Sequence, residues 1–484
     1  MTPGFQRPPA VLIVLAIVFL AQAIILGAIR SGTSFDGAEQ LLYTQYFEWG
    51  YGRSQPPLYT WLLIGMQQVF GVTQLAENLL KFAFLFVGFA GLHAIAIRLG
   101  ASAIIAAVVA LSAFLVVEIG WEAQRNYAHS VQLFAAGTML AWLYLVTLNR
   151  AGSVWHHIGM GVLCGILLLS KYNSVLFIAA LVAADLSLPQ ARVFARRGSL
   201  LVWLVAVAVA APHLIWAAGN FEAVTALADG FIGPDDSGGA LSVLNGLWLY
   251  LVANLNVLAP VAIVVSGVTL FARGPRLAPH MSTERTVMLR WAIALWLIGL
   301  IVTLVSGTTE VRGRWLLVLL VPLLPVLWIW VLQGRPRATR VVLGICAGFG
   351  VLSVAGQWWE STRGNPRTDF DYAALVQALE AAALPRDLIV ADYAVFANLR
   401  LYGPRAVANT SMPDPARVIQ DQATLIWTGG RENQAVEVRE LADQLGLCPG
   451  QTAPLSLHTP RRHTDGGIDV QAQVVTRAAC APER

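Results

Sequence analysis

Residues 34–40 of this chain read Ser34-Phe35-Asp36-Gly37-Ala38-Glu39-Gln40, and residues 49–59 read Trp49-Gly50-Tyr51-Gly52-Arg53-Ser54-Gln55-Pro56-Pro57-Leu58-Tyr59. Both pieces follow directly on an apolar run, Ala10 to Ala28, that is long enough to cross a bilayer. Charge beside hydrocarbon is costly and marks a site or a pathway. Asp36 and Glu39 stand at i and i+3, so one helical turn puts both carboxylates on one face. A helix from about Gly37 to Trp49, capped by Ser34 or Asp36, is the expected local structure, and capping by itself accounts for an acid there equally well. Two prolines make Gln55-Pro56-Pro57 stiff and extended. Alone that is a loop re-entering the next helix; about 20 residues after an acidic pair at a membrane surface, it points to chemistry there.

The rest of the chain supplies the membrane. Of 484 residues, 57% are hydrophobic and 12% charged, against about 25% charged in a soluble domain. We read about eleven apolar runs of spanning length, beginning near Ala10, Asn78, Ala101, Ser130, Ser153, Asn173, Ser199, Leu241, Trp291, Arg314 and Arg340. The first is too long for a signal-peptide core and lacks a small-residue cleavage site at Ile29-Arg30-Ser31, so it is read as a retained helix.

Orientation follows from the positive charges. With a cytoplasmic N-terminus, the inside loops hold Arg7, Arg98, Arg150, Arg192, Arg196, Arg197, Arg273, Arg276, Arg285, Arg290, Arg335, Arg337 and Arg340, opposed only by Asp185 and Glu284. The outside loops hold most of the acids, among them Asp36, Glu39, Glu48, Glu77, Glu118, Glu122, Glu222, Asp229, Asp235, Asp236 and Glu310. This positive-inside bias places the tail from about Gln357 outside the cytoplasm. The net charge of +4 reflects topology, and no basic cluster with interleaved aromatics argues for nucleic acid.

The tail is mixed in composition and has no spanning run. Helices over Asp371–Ala383 and Glu432–Leu447, strands over Asp387–Asp392 and Ala423–Trp427, and a helical piece over Tyr393–Tyr402 predict a small α/β domain. The expected organisation is a membrane domain over 1–356 with an outer loop at 30–77, and a soluble domain over 357–484. Cys164 and Cys346 fall inside apolar runs as small core residues, whereas Cys448 and Cys480 lie in the tail, where an oxidising compartment permits a disulfide.

The acidic pair, Trp49-Gly50-Tyr51-Gly52 and Gln55-Pro56-Pro57-Leu58-Tyr59 resemble the GT-C glycosyltransferases. The likeness is to the bacterial branch related to protein mannosyltransferases and lipid A aminoarabinose transferases (glycosyltransferase family 39 type). It covers the membrane part and is strongest over residues 30–175. It implies a mainly α, polytopic GT-C fold with about 11 transmembrane helices, plus the small C-terminal α/β domain. It also implies an enzyme moving a sugar from a polyprenyl-phosphate donor to a hydroxyl of a lipid, polysaccharide or protein, on the periplasmic face of a bacterial inner membrane. Membrane lipids are the other partners.

The resemblance makes Asp36 the catalytic base. Relatives commonly carry Asp-Glu adjacent; here Gly37 takes the second acidic position, and Glu39 is the candidate substitute. The residue before Pro-Pro, often Lys or His in relatives, is Gln55, which hydrogen-bonds but cannot neutralise charge. Lys171, one of two lysines, sits in an outward turn where the family has a similar Lys, and Arg312 and Arg314 precede a Leu/Pro-rich helix. These three are the candidate ligands of the donor phosphate, since cations stabilise charge on the leaving group; a neutral turn residue and interfacial snorkelling are the bland readings. Tyr43, Gln55, Pro56, Pro57, Tyr59, Glu118, Glu122, Arg125, His129, Tyr172 and Asn173 are expected to line the substrate cavity. No cofactor is required, although acids and His129 from separate loops leave room for a divalent cation. The competing reading is a transporter or flippase of lipid-linked saccharides, which would show repeated halves and polar groups at the midplane; neither is seen. An inactive sugar-lipid-binding scaffold is the third.

Overall fold

Without water, an apolar segment must satisfy its own backbone polar groups, and a helix does this within one segment. The computed structural model describes the chain except residues 1–8, 53–54, 150–152, 223, 225–239, 273–280, 307–310, 364–368, 392–395, 404, 411, 413, 451–452 and 481–484, and the side chains of 149 and 240–243. Arg7, Arg53, Ser54, Arg150, Asp229, Asp235, Asp236, Arg273, Arg276, Glu310 and the start of the piece predicted over Tyr393–Tyr402 lie outside the described residues.

In chain order the helices up to the tail are α1 (Ala10–Ile29), α2 (Phe35–Tyr43), α3 (Leu58–Phe70), α4 (Gln74–Arg98), α5 (Ala103–Leu111), α6 (His129–Asn149), α7 (Val154–Leu168), α8 (Ser174–Leu186), α9 (Ser199–Gly219), α10 (Ala240–Phe271), α11 (Thr283–Ser306), α12 (Leu317–Leu332) and α13 (Pro336–Ser361). Among the described residues, seven are long and apolar enough to cross a membrane: α1, α4, α6, α9, α10, α11 and α13. The segment Ala103–Leu115 bends by 77° into Glu118–Arg125 and makes an eighth if the bent pair is one span. The remaining expected runs are the shorter helices α7, α8 and α12. At 1.5 Å per residue these cover roughly 20–24 Å, less than a hydrocarbon core of about 30 Å.

The chain divides into two compact units, each discontinuous in sequence: Met1–Leu20, Arg53–Leu58 and Lys81–Val354, and Ala21–Gly52, Tyr59–Leu80 and Ala355–Arg484. In the first, helices approach closely where side chains are smallest. A Cβ on Gly161 of α7 would lie 2.7 Å from the Val202 carbonyl of α9, and one on Gly165 would lie 3.0 Å from that of Ala206. Small residues four apart let backbones meet without a hydrophobic drive, as lipid-embedded helices require. Buried Asp185, at the end of α8, accepts from Tyr144 Oη at 2.6 Å and from the Val193 and Phe194 amides at 2.9 Å each, fixing the turn before α9.

The second unit is built on a mixed sheet of β1 (Leu388–Ala391), β2 (Ala406–Ala408), β3 (Gln422–Thr428), β4 (Cys448–Pro449), β5 (Leu455–Pro460) and β6 (Gly467–Thr476), ordered β2-β1-β3-β6-β4 with β5 also on β6. β1 pairs parallel with β2 and β3, and β6 runs antiparallel to its neighbours. Alternate residues face opposite layers, as the pleat dictates. Leu388 and Val390 join helix α15 (Glu432–Gln444), while Ile389 and Ala391 join helix α14 (Tyr372–Ala381). Asp371 caps α14, accepting from the Ala374 amide at 2.9 Å. A disulfide joins Cys448 to Cys480, with Cα atoms 5.0 Å apart. The piece expected over Tyr393–Tyr402 is a 3₁₀ turn over Ala397–Tyr402 where it is described. β2 and the β5–β6 hairpin are additions to the predicted domain.

Helix α2 packs into the same core: Ala38, Leu42 and Tyr43 share it with Phe370, Phe396 and Ile426. It is shorter than expected, ending at Tyr43 rather than Trp49. Just beyond it, the Gln45 amide pairs with Val407 of β2, donating to its carbonyl at 2.8 Å and accepting from its N–H at 2.9 Å. That side chain satisfies the strand edge as a neighbouring strand would.

Candidate active site

In the second unit, the acidic stretch forms the first turn of α2. Ser34 holds the N-cap position without a side-chain bond to the turn, and Asp36 lies inside the first turn rather than capping it. Asp36 and Glu39 are both half-buried. Glu39 accepts from Tyr43 Oη at 3.2 Å, and the Tyr43 ring stacks on Tyr51 with centroids 5.3 Å apart. Tyr59, fully buried on α3, has its hydroxyl pKa pushed well above the ordinary value by burial first, then by the negative charge of Glu77 and Asp36. The next residue, Thr60, donates to Gln40 Oε1 at 2.7 Å and ties α3 to α2.

Sequence reasoning missed three residues here. Glu77 of α4, only 4% exposed, brings its carboxylate against Gly37. Asn398 from the tail accepts from the Thr33 amide at 2.7 Å, just ahead of α2. Arg400, its pKa lowered to about 10 by burial, donates to the Leu41 carbonyl and to Thr44 Oγ1, at the end of the helix. An anion at the first turn and a cation at the last both match the helix dipole. Lys81, the chain's other lysine, lies one turn beyond Glu77 on α4 and is 2% exposed. The Glu77–Lys81 spacing of i, i+4 inside an apolar run was the signal available for both.

In the first unit, the Gln55-Pro56-Pro57 segment sits beside the lysine turn, because the Leu58 amide donates to the Leu169 carbonyl at 3.2 Å. Lys171 is 5% exposed and its Nζ donates to Ser130 Oγ at 3.0 Å. Buried His129 bonds to the Ser170 backbone, and it feels the positive charges of Lys171 and Arg314. Those two cations also act on Glu118, which accepts from Tyr127 Oη. Burial, then the bond to Glu118 and its charge, hold the Tyr127 hydroxyl protonated far above neutral pH. The Arg314 guanidinium lies 5.9 Å from the Tyr127 ring centroid, in a 3₁₀ turn over Gly313–Trp315, and Arg312 stands at the start of that turn. A Cβ on Gly313 would meet the Glu118 carboxylate, so the two lie in close approach.

Glu122 and Arg125 pair with each other at 2.9 Å, and Asn126 donates to Glu122 at 2.5 Å. Tyr172 meets His213 of α9, another residue not singled out from the sequence, with Oη 3.2 Å from Nε2. Asn173 stands at the N-cap of α8. Lys171, Arg314, Glu118, Tyr127 and His129 thus form one charged cluster, with Glu122 and Arg125 forming an ion pair of their own. Among the described residues, no three or more His, Cys, Asp or Glu side chains are grouped to hold a metal ion.

Known proteins share this arrangement of elements. The family model of dolichyl-phosphate-mannose-protein mannosyltransferases matches residues 54–216. Over 454 residues, 88% of each chain, this chain is 27% identical to the lipopolysaccharide core galacturonosyltransferase RgtA of Rhizobium johnstonii. It is 25% identical to RgtB of the same organism over 91% of each. The crystal structure of ArnT from Cupriavidus metallidurans bound to undecaprenyl phosphate superposes with a TM-score of 0.64, covering 98% of this chain and 99% of that one at 14% identity. By its fold and its relatives, the chain is a multi-pass membrane glycosyltransferase of the GT-C type.

Proposed function

We propose that the donor is a polyprenyl-phosphate-linked sugar and that transfer occurs at the periplasmic face of a bacterial inner membrane. The N-terminus is then cytoplasmic, with 1–356 as the membrane catalytic domain and 357–484 as a periplasmic domain. The positive-inside pattern and the Cys448–Cys480 disulfide support that orientation. Likeness to RgtA and RgtB favours a galacturonosyl group as cargo and a lipopolysaccharide core hydroxyl as acceptor.

In this reading Asp36 takes the proton of the acceptor hydroxyl as its oxygen attacks the anomeric carbon. The bond from that carbon to the phosphate oxygen breaks, and the lipid phosphate leaves with the electron pair. Lys171 and Arg314, joined by Arg312, hold the phosphate and offset its growing charge. Glu39 secures the second turn of α2 through Tyr43, and Gln55, Tyr172 and Asn173 bond sugar hydroxyls. The observation that carries the reading is the cluster of Lys171 and Arg314, two cations that act together on Glu118 and His129 and suit a leaving phosphate.

The test is transfer of galacturonic acid from its polyprenyl-phosphate carrier to purified lipopolysaccharide core, using membranes containing the protein. Asp36→Asn should abolish transfer with the protein present at parental level. Full transfer by that variant would remove Asp36 from the chemistry.

A further inference from the structure

Gly37 lies next to the proposed base, in the first turn of a helix that a glycine weakens by about 1 kcal/mol relative to alanine. The structure gives the reason a side chain is missing. A Cβ at position 37 would land on Thr33 Oγ1 and come within 2.5 and 2.8 Å of the two Glu77 carboxylate oxygens. Thr33 Oγ1 and the Glu77 carboxylate share the notch that glycine leaves, although Glu77 comes from α4, 40 positions further along the chain. Its carboxylate is buried, which is expensive unless it is held. It lies beside Gly37 in the first turn of α2, the positive end of the helix dipole, where an anion is favoured. The negative charges of Glu77 and Asp36 both add to the upward shift of the buried Tyr59 hydroxyl.

We infer that Glu77 is a positioning residue for Asp36: its carboxylate, seated in the Gly37 notch, fixes the first turn of α2 and hence the direction in which the base points. The inference rests on the reading of Asp36 as base. Glu39 is the acid nearer in sequence, but it bonds Tyr43 along the helix, and so secures the next turn rather than the first.

The experiment measures kcat and donor KM for galacturonic acid transfer from its polyprenyl-phosphate carrier, with melting temperature in detergent as a control for folding. Glu77→Gln should lower kcat by about 10- to 100-fold while donor KM stays within about threefold, because misplacing a base costs the transition state and not the bound donor. Glu77→Asp should recover part of the loss. Gly37→Ala should reproduce the Glu77→Gln defect by displacing the carboxylate, and the double variant should be no worse than either single one. A Glu77→Gln kcat within twofold of the parent would overturn the inference, as would losses that multiply in the double variant. So would kcat, KM and melting temperature all falling together. Asp36→Asn separates this from the wider reading: inactive Asp36→Asn beside active Glu77→Gln removes only the positioning role.

Discussion

Replacing Lys171 by Met deletes one ammonium and keeps most of the apolar stem that packs around it. The parent nitrogen bonds Ser130 Oγ at 3.0 Å and shares its surroundings with Arg314, Glu118 and His129. A hydrogen bond to a charged group is worth about 1.5–3 kcal/mol net. If that bond goes to the leaving phosphate, its loss lowers kcat/KM by about 10- to 150-fold, at roughly 1.4 kcal/mol per decade. Stability should move the other way or not at all. A buried ammonium carries a desolvation cost that the thioether lacks, so the Met variant should melt no lower than the parent. The assay is initial rates in proteoliposomes across a donor titration, with melting temperature in detergent alongside. Ser130→Ala, which removes only the anchor of the ammonium, should give a smaller loss of about 3- to 10-fold. Lys171→Met with kcat/KM within twofold of the parent would refute the phosphate role. A lower melting temperature together with lost activity would show that Lys171 is structural.

Two further outcomes test the architecture. The Cys448–Cys480 bridge closes a loop of 32 residues, which in the chain-entropy account is worth about 3–4 kcal/mol; reductant, or Cys480→Ser, should make the tail markedly more sensitive to protease and urea, and an unchanged urea midpoint would contradict this. Asp185→Ala strands three donors that now end on one buried carboxylate, so folded yield should fall with a loss of about 3–5 kcal/mol; a melting temperature within about 1 °C of the parent would argue against that anchor.

Much of the fold is legible in the chain because lipid leaves few options. An apolar run such as Leu317–Leu332 has to be helical whatever surrounds it. What a run cannot state is whether it crosses: α7, α8 and α12 are apolar enough but short. In the tail, β1 and β3 are visible as runs buried on both faces, and α14 and α15 by their periodicity. The strand Gly467–Thr476 carries the period-2 signal of a half-buried strand in Asp469-Val470-Gln471-Ala472. β2 has three residues and no pattern long enough to read.

The acidic stretch divides along the same line. Sequence by itself determined that Asp36 and Glu39 share a helical face beside a membrane, since i, i+3 spacing is a property of any helix. It also determined that a proline pair follows and that Lys171, Arg312 and Arg314 stand at the ends of apolar runs. Only the tertiary structure decided that Glu77 joins Thr33 in the space at Gly37. Glu77 is distant along the chain, and its carboxylate fits there because a glycine removes the one side chain that would exclude it. Only the tertiary structure, likewise, brought Arg400 to the far end of α2 and buried Lys171 against Ser130. Such pairings depend on which surfaces meet, and no local period in the chain encodes that.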